Sequence, residues 1–279
     1  MILILDGKLV RDKLLDGYKE KIRNKNLAIK LAIILVGDNE ASKIYIRNKE
    51  KACDYVGIVV EKYLLGADTS EVELMSLIEK LNNDVSVTGI ILQSPVPSHI
   101  DFDKCSGLIS SKKDVDGFTK ENIYNLYLGH DTILPCTVKG IIRLLEYYNV
   151  PISGANVVIV GRGNIVGHPL SLALLNMDAT VTVAHSKTKD LANLTKNADI
   201  LVSATGYPHL IKKDMVKNRA VVIDVGVSRV DGDIVGDVDF DNVKDVAYAI
   251  TPNPGGVGPM TVAMIIDNLL MMKESENNG

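Results

Sequence analysis

The 279-residue chain has no tryptophan and only 3 phenylalanines, so any core it builds must be aliphatic. Its 3 cysteines, Cys53, Cys105 and Cys136, are odd in number and far apart, and no Cys-x-x-Cys or His-x-x-x-His pair offers metal-ligand spacing. Neither a disulfide framework nor a metal site is expected. No apolar run approaches the roughly 18 residues needed to cross a bilayer, and the aliphatic pieces are short, such as Leu31–Val36 and Val157–Val160. The opening MILILD meets a charge at Asp6 before a secretory core develops, so the expected location is the cytoplasm. An excess of one charge is also lacking. With 31 Lys+Arg against 35 Asp+Glu, the net −4 provides no basic face for nucleic-acid phosphates or an anionic membrane, and neither is an expected partner.

What is present is an alternation of short aliphatic runs with helix-like stretches, the pattern of βαβ units and a mainly parallel sheet. The expected fold class is therefore α/β. Strands are read at 31–36, 58–65 and 87–92, and then in a tighter series at 156–160, 179–184, 200–203, 220–225 and 247–250. Ser70 and Glu73 have the spacing of a capping box for a helix reaching about Asn82. Residues 136–150 repeat apolar side chains at helical spacing and stop before Pro151, which suits a linker between two lobes. The segment 252–259, PNPGGVGP, precedes an apolar helix that would return to the first lobe, and residues 273–279 read as a frayed polar tail.

Gly161, Gly163 and Gly167 lie between a buried-strand pattern and an amphipathic helix. Such a turn lets backbone approach a pyrophosphate at a helix N-terminus, although the glycines would also serve close strand–helix packing alone. The spacing is one residue longer than the common dinucleotide fingerprint. After the next strand, where an NAD site carries an acid for the ribose, the chain reads His185-Ser186-Lys187-Thr188. With Arg162 nearby, that favours NADP, unless Arg162 and Lys187 are simply solvated.

In the first half, Tyr45 and Lys49 stand at i and i+4 on one helix face, with Ser42 one turn earlier. That pair is either a solvated surface or a ligand site. Tyr-x-x-x-Lys also occurs in short-chain dehydrogenases, but there it follows the glycine loop rather than preceding it. Gln93 ends a strand, as either a loop-fixing amide or a ligand contact, and Asp114 and Asp116 precede Gly117 in a DxDG that suits an Asx turn, or else a cation or cationic heterocycle.

Together the blocks VGDNEASKIYIRNKEKA, GIILQSPVP, KKDVDGF, PCTVKG, GRGNIVGHP, HSKT, VVIDVG and TPNPGGVGPMT closely resemble, in order and spacing, the bifunctional methylenetetrahydrofolate dehydrogenase/cyclohydrolase family over about residues 30–265. The resemblance implies two α/β lobes flanking a cleft: a catalytic, folate-binding lobe of 1–136 and 258–279, and a Rossmann-like NADP lobe of 137–257. A homodimer through the latter is also implied. Lys49 matches the catalytic lysine, Tyr45 a ring that stacks on folate, Gln93 the lysine's amide partner, and Asp116 the carboxylate that anchors the pterin. These four are the implied catalytic set. Ser42 and the segment Pro254, Gly255, Gly256, Val257 and Gly258 complete the implied substrate contacts. Gly161, Arg162, Gly163, Ser186 and Val227 match cofactor contacts.

The chain departs from the family's usual Ser at Gly163, Leu at Ser94, Pro at Ser111, His at Thr119, Pro at Val138 and Val at Asn253. The implied chemistry is oxidation of a methylene bridge to a methenyl cation, then hydration of that cation. Partial burial and a cationic substrate both disfavour a charged lysine, which suits Lys49 to proton transfer with water. Another two-lobed NADP dehydrogenase, or a binding protein that lost catalysis, are the alternatives. The first would not explain the GGVGPMT segment.

Overall fold

The computed structural model describes residues 2–230 and 232–278. From the amino terminus the order is β1 (Leu3–Ile4), α1 (Gly7–Asn24), β2 (Lys30–Val36), α2 (Glu40–Val56), β3 (Val59–Leu65), α3 (Glu71–Asn83) and β4 (Gly89–Leu92). Helices α4 (Phe102–Ser106), α5 (Lys120–Leu128) and α6 (Cys136–Tyr147) follow. The second series is β5 (Asn156–Val160), α7 (Gly167–Leu175), β6 (Thr180–Ala184), α8 (Leu191–Thr195), β7 (Ile200–Ser203), β8 (Val221–Asp224), β9 (Ser228–Val230), β10 (Asp233–Val235), α9 (Phe240–Val243), β11 (Ala249–Ile250) and α10 (Val257–Asn278). The fold is α/β, as expected. Among the described residues no helix is long and apolar enough to cross a membrane.

The chain divides into two compact units, the first made of Asp12–Cys136 and Val262 onward, the second of residues up to Arg11 together with Thr137–Thr261. In the first, a parallel sheet of order β3-β2-β4 carries Ala32, Ile34, Val36, Ile90 and Leu92 into a core with Leu74, Ile78 and Leu81. Those three residues form one stripe of α3 because they recur at i, i+4 and i+7. The helix starts where expected. Ser70 accepts from Glu73 N at 3.3 Å, and Glu73 accepts from Ser70 N at 2.8 Å.

In the second unit, six parallel strands run in the order β1-β11-β8-β7-β5-β6, so all their carboxyl ends share one edge. The expectation that residues 1–11 belong to the first lobe needs correction. Leu3 N donates to Tyr248 O at 3.0 Å and Leu5 N to Ile250 O at 2.9 Å, which makes β1 an edge strand of this sheet. Residues 258–261 also fall in this unit, since α10 begins here and finishes in the other.

The polar tail differs from expectation as well, because α10 continues helical to Asn278. Lys21 in the last turn of α1 and Lys25 just beyond its end hold Glu274 at 2.9 and 2.6 Å. The antiparallel hairpin of β9 and β10 is an element that the sequence pattern does not announce.

Candidate active site

In the first unit the site grows from the start of α2. Asn39 caps it, accepting from Ser42 N at 3.0 Å, while Asp38 pairs with Lys43. Helical spacing then sets Ser42, Tyr45 and Lys49 along one face. Lys49 Nζ donates to Gln93 Oε1 at 3.0 Å. Gln93 Nε2 donates to Ser94 O at 2.9 Å, and buried Ser42 Oγ donates to the same carbonyl at 3.2 Å. One backbone oxygen thereby turns the amide so that its own oxygen faces the lysine. Gln93 is itself fixed by its position at the end of β4, with its N–H on Ile34 O at 2.9 Å. Tyr45 leaves its ring 57% exposed, open to a stacking partner.

The two acids of the DxDG segment separate into different tasks. Asp114 is buried and accepts from Gly117 N at 3.0 Å, Thr119 N at 2.7 Å and Asn122 Nδ2 at 3.0 Å. Its oxygens are spent on closing the loop and starting α5. Asp116 is only half-buried and lies within the field of Lys49. Burial pushes its carboxyl above the ordinary aspartate value, and the Lys49 charge works in the opposite direction. The structure thus brings Ser42, Lys49 and Gln93 into one hydrogen-bonded chain, with Asp116 coupled to it through charge. Asn268 is a residue that sequence reasoning missed. It is fully buried, and its Nδ2 donates to Val115 O at 2.9 Å and Leu134 O at 3.0 Å, bracing the Asp116 loop. The available signal was the polar pair Asp267-Asn268 inside a mostly apolar run of α10.

In the second unit, Gly161 follows β5 at φ +116°, and a Cβ there would come within 2.3 Å of Ala204 O. A Cβ on Gly167 would lie 2.2 Å from Gly161 O. Both glycines permit close backbone packing, of the turn on Ala204 and of α7 on the turn, at the carboxyl end of a parallel sheet, where such folds bind dinucleotides. No side chain caps α7; in its first turn Pro169 has no N–H and His168 N donates to Gly163 O at 3.1 Å, which leaves Gly167 N to meet an anion. Arg162, Gly163 and Ser186 are exposed after β5 and β6, and Val227 is exposed after β8, on the same sheet edge. The residues present therefore fit NADP. The Pro254–Gly258 segment follows β11, and its Gly255 O accepts from Gly7 N at 3.0 Å and Lys8 N at 3.2 Å.

The family model described as tetrahydrofolate dehydrogenase/cyclohydrolase, catalytic domain, matches residues 5–116, and that described as tetrahydrofolate dehydrogenase/cyclohydrolase, NAD(P)-binding domain, matches residues 135–277. The bifunctional protein FolD of Lactobacillus helveticus is 46% identical over 278 residues, covering 99% of both chains. The crystal structure of the bifunctional methylenetetrahydrofolate dehydrogenase/cyclohydrolase FolD from Campylobacter jejuni superimposes with a TM-score of 0.96 at 44% identity, covering 99% of this chain and 100% of that one. The Trypanosoma brucei enzyme complexed with NADP cofactor and inhibitor gives 0.93 at 35% identity, covering 100% and 99%.

Proposed function

This chain belongs to the tetrahydrofolate dehydrogenase/cyclohydrolase family, and from that premise we propose that Lys49, Gln93, Tyr45 and Asp116 carry its chemistry. Its activities are oxidation of 5,10-methylenetetrahydrofolate to the 5,10-methenyl form with NADP and hydrolysis of that product to 10-formyltetrahydrofolate. The observation that carries the residue assignment is the Lys49–Gln93 hydrogen bond beside Asp116.

Asp116, when ionised, accepts two N–H bonds from the amino-pyrimidinone edge of the pterin, and Tyr45 stacks on the folate rings. Ser42 and Pro254–Gly258 complete the substrate contacts. When bound, NADP supplies the oxidant that takes a hydride from the methylene carbon. Gly161, Arg162, Gly163, Ser186 and Val227 hold it. In the second reaction a water oxygen bonds to the cationic methenyl carbon and sheds a proton, which Lys49 Nζ moves away. Rupture of one carbon–nitrogen bond, with reprotonation of that nitrogen, leaves the formyl group. Gln93 keeps the lysine aimed, because its oxygen accepts only a donated N–H. The homodimer is formed through the second unit, a reading supported by Val230 and Ile234, 40% and 44% exposed on the hairpin of β9 and β10. The enzyme works in the cytoplasm.

Lys49→Met and Asp116→Ala test the assignment. In Lys49→Met, methenyltetrahydrofolate hydrolysis should fall by about 10²–10⁴ in kcat. In Asp116→Ala the main loss should be in folate KM. Full hydrolytic activity in Lys49→Met would remove that residue from the mechanism.

A further inference from the structure

Asp224 ends β8 as a buried acid, and its carboxylate accepts from Gly226 N at 3.2 Å, Asp237 N at 3.0 Å and Val238 N at 3.1 Å. Asp237, also buried, takes Ser203 Oγ at 2.9 Å, Thr205 N at 2.7 Å and Thr205 Oγ1 at 2.8 Å on one oxygen. Its other oxygen has no partner among the described residues. Two glycines make room for this acid pair: a Cβ on Gly226 would sit 1.8 Å from Asp237 Oδ1, and one on Gly236 1.8 Å from Asp224 Oδ2. Into that space Asn253 inserts its amide, donating to Gly226 O at 2.5 Å and to the Asp224 carboxylate. Asn253 immediately precedes Pro254–Gly258, in which Gly255 and Gly256 lie ahead of the first turn of α10 and have conformers to lose on binding where nothing ties them.

We propose that Asn253 is a positioning residue for folate: its amide ties the Pro254–Gly258 segment to the end of β8, and substrate affinity depends on that tie. The proposal rests on reading this segment as a folate contact. The valine that the family usually carries here has no donor, so the tie belongs to this chain's own sequence. Pre-ordering a glycine-rich segment lowers the entropy lost when ligand binds, an effect that appears in KM rather than in the chemical step. The titratable group facing Asp224 is Asp237. Desolvation pushes the Asp224 carboxyl up to about 6, while its backbone donors and Asn253 favour the ionised form.

The test is methenyltetrahydrofolate hydrolysis by the full chain without NADP, which reads folate affinity alone. Asn253→Val should raise KM about tenfold and leave kcat within about twofold. Asn253→Asp sets a third carboxylate against the pair. Its KM, as a ratio to that of the unmodified protein, should be large at about pH 8 and fall towards one at about pH 5.5, where a shared proton restores a donor. A merely structural defect would follow the same protonation but would lower kcat and melting temperature in parallel, whereas loss of the tie leaves kcat within about twofold. Should Asn253→Val fail to fold, the Asn253→Asp ratio at the two pH values decides alone.

Unchanged KM in both variants, or an Asn253→Asp ratio independent of pH, would overturn the proposal. Gly256→Ala, whose Cβ would meet Pro252 O at 2.6 Å and so displace the segment, separates the two readings. Raised KM in Gly256→Ala with unchanged KM in the Asn253 variants defeats this proposal alone. Unchanged KM in Gly256→Ala removes the segment from folate binding, and the proposal falls with it.

Discussion

Gly163 is the residue at which the chain departs from its family inside the cofactor turn, and the backbone does not require a glycine there. Its φ lies outside the left-handed region, and a Cβ would meet nothing within 4 Å. A serine hydroxyl at that point adds a donor for phosphate at no steric cost. Gly163→Ser should therefore tighten NADP by about three- to tenfold, read from the NADP KM or a fluorescence titration, with little change in melting temperature. Weakened binding would mean that the turn does not touch the phosphates. Other residues were legible to different degrees. The common face of Tyr45 and Lys49 follows from helical spacing alone, and Gln93 stands out at a strand end, but its partnership with Lys49, 44 residues away, is reached only through a family resemblance. The division of labour between Asp114 and Asp116 is invisible in a four-residue motif, because it depends on where Asn122 and Thr119 deliver their donors.

The start of α3 was legible from local residues alone. The capping box of α3 needs only Ser70 and Glu73, and both hydrogen bonds form. Ser70→Ala should cost about 1 kcal/mol, seen as a lower denaturation midpoint at unchanged slope. An unaltered midpoint would show that α3 is held by Leu74, Ile78 and Leu81 alone. Elements that depend on distant partners were not legible. β1 is two residues long and gains its identity from β11, and each strand of the β9–β10 hairpin has three residues, too few for a periodicity to declare itself. The carboxyl-terminal turns of α10 read as polar and frayed, yet Lys21 and Lys25 neutralise Glu274 and keep them wound.

At the scale of the whole molecule, Asp224 gives stability a pH dependence of known sign. Its carboxyl is raised from 3.8 to about 6, so the native state binds this proton more tightly than the unfolded chain does. The associated stability is fully present below about pH 4 and is lost as pH rises through about 6, a change of roughly 3 kcal/mol. Asp224→Asn lacks this titration. Melting temperatures of the variant and the unmodified protein, compared from about pH 4 to about pH 7, should shift in the variant's favour as pH rises. A constant difference would show that Asp224 titrates normally. The division into two units was legible in outline, but the strand from the amino terminus crosses it, because β1 pairs with Ala249–Ile250. During synthesis at about 5–20 residues per second, the leading strand must wait roughly 12–50 s for its sheet neighbour to emerge. The second unit therefore cannot seal its edge without the residues translated first, which makes the amino terminus a poor place for a bulky fusion tag.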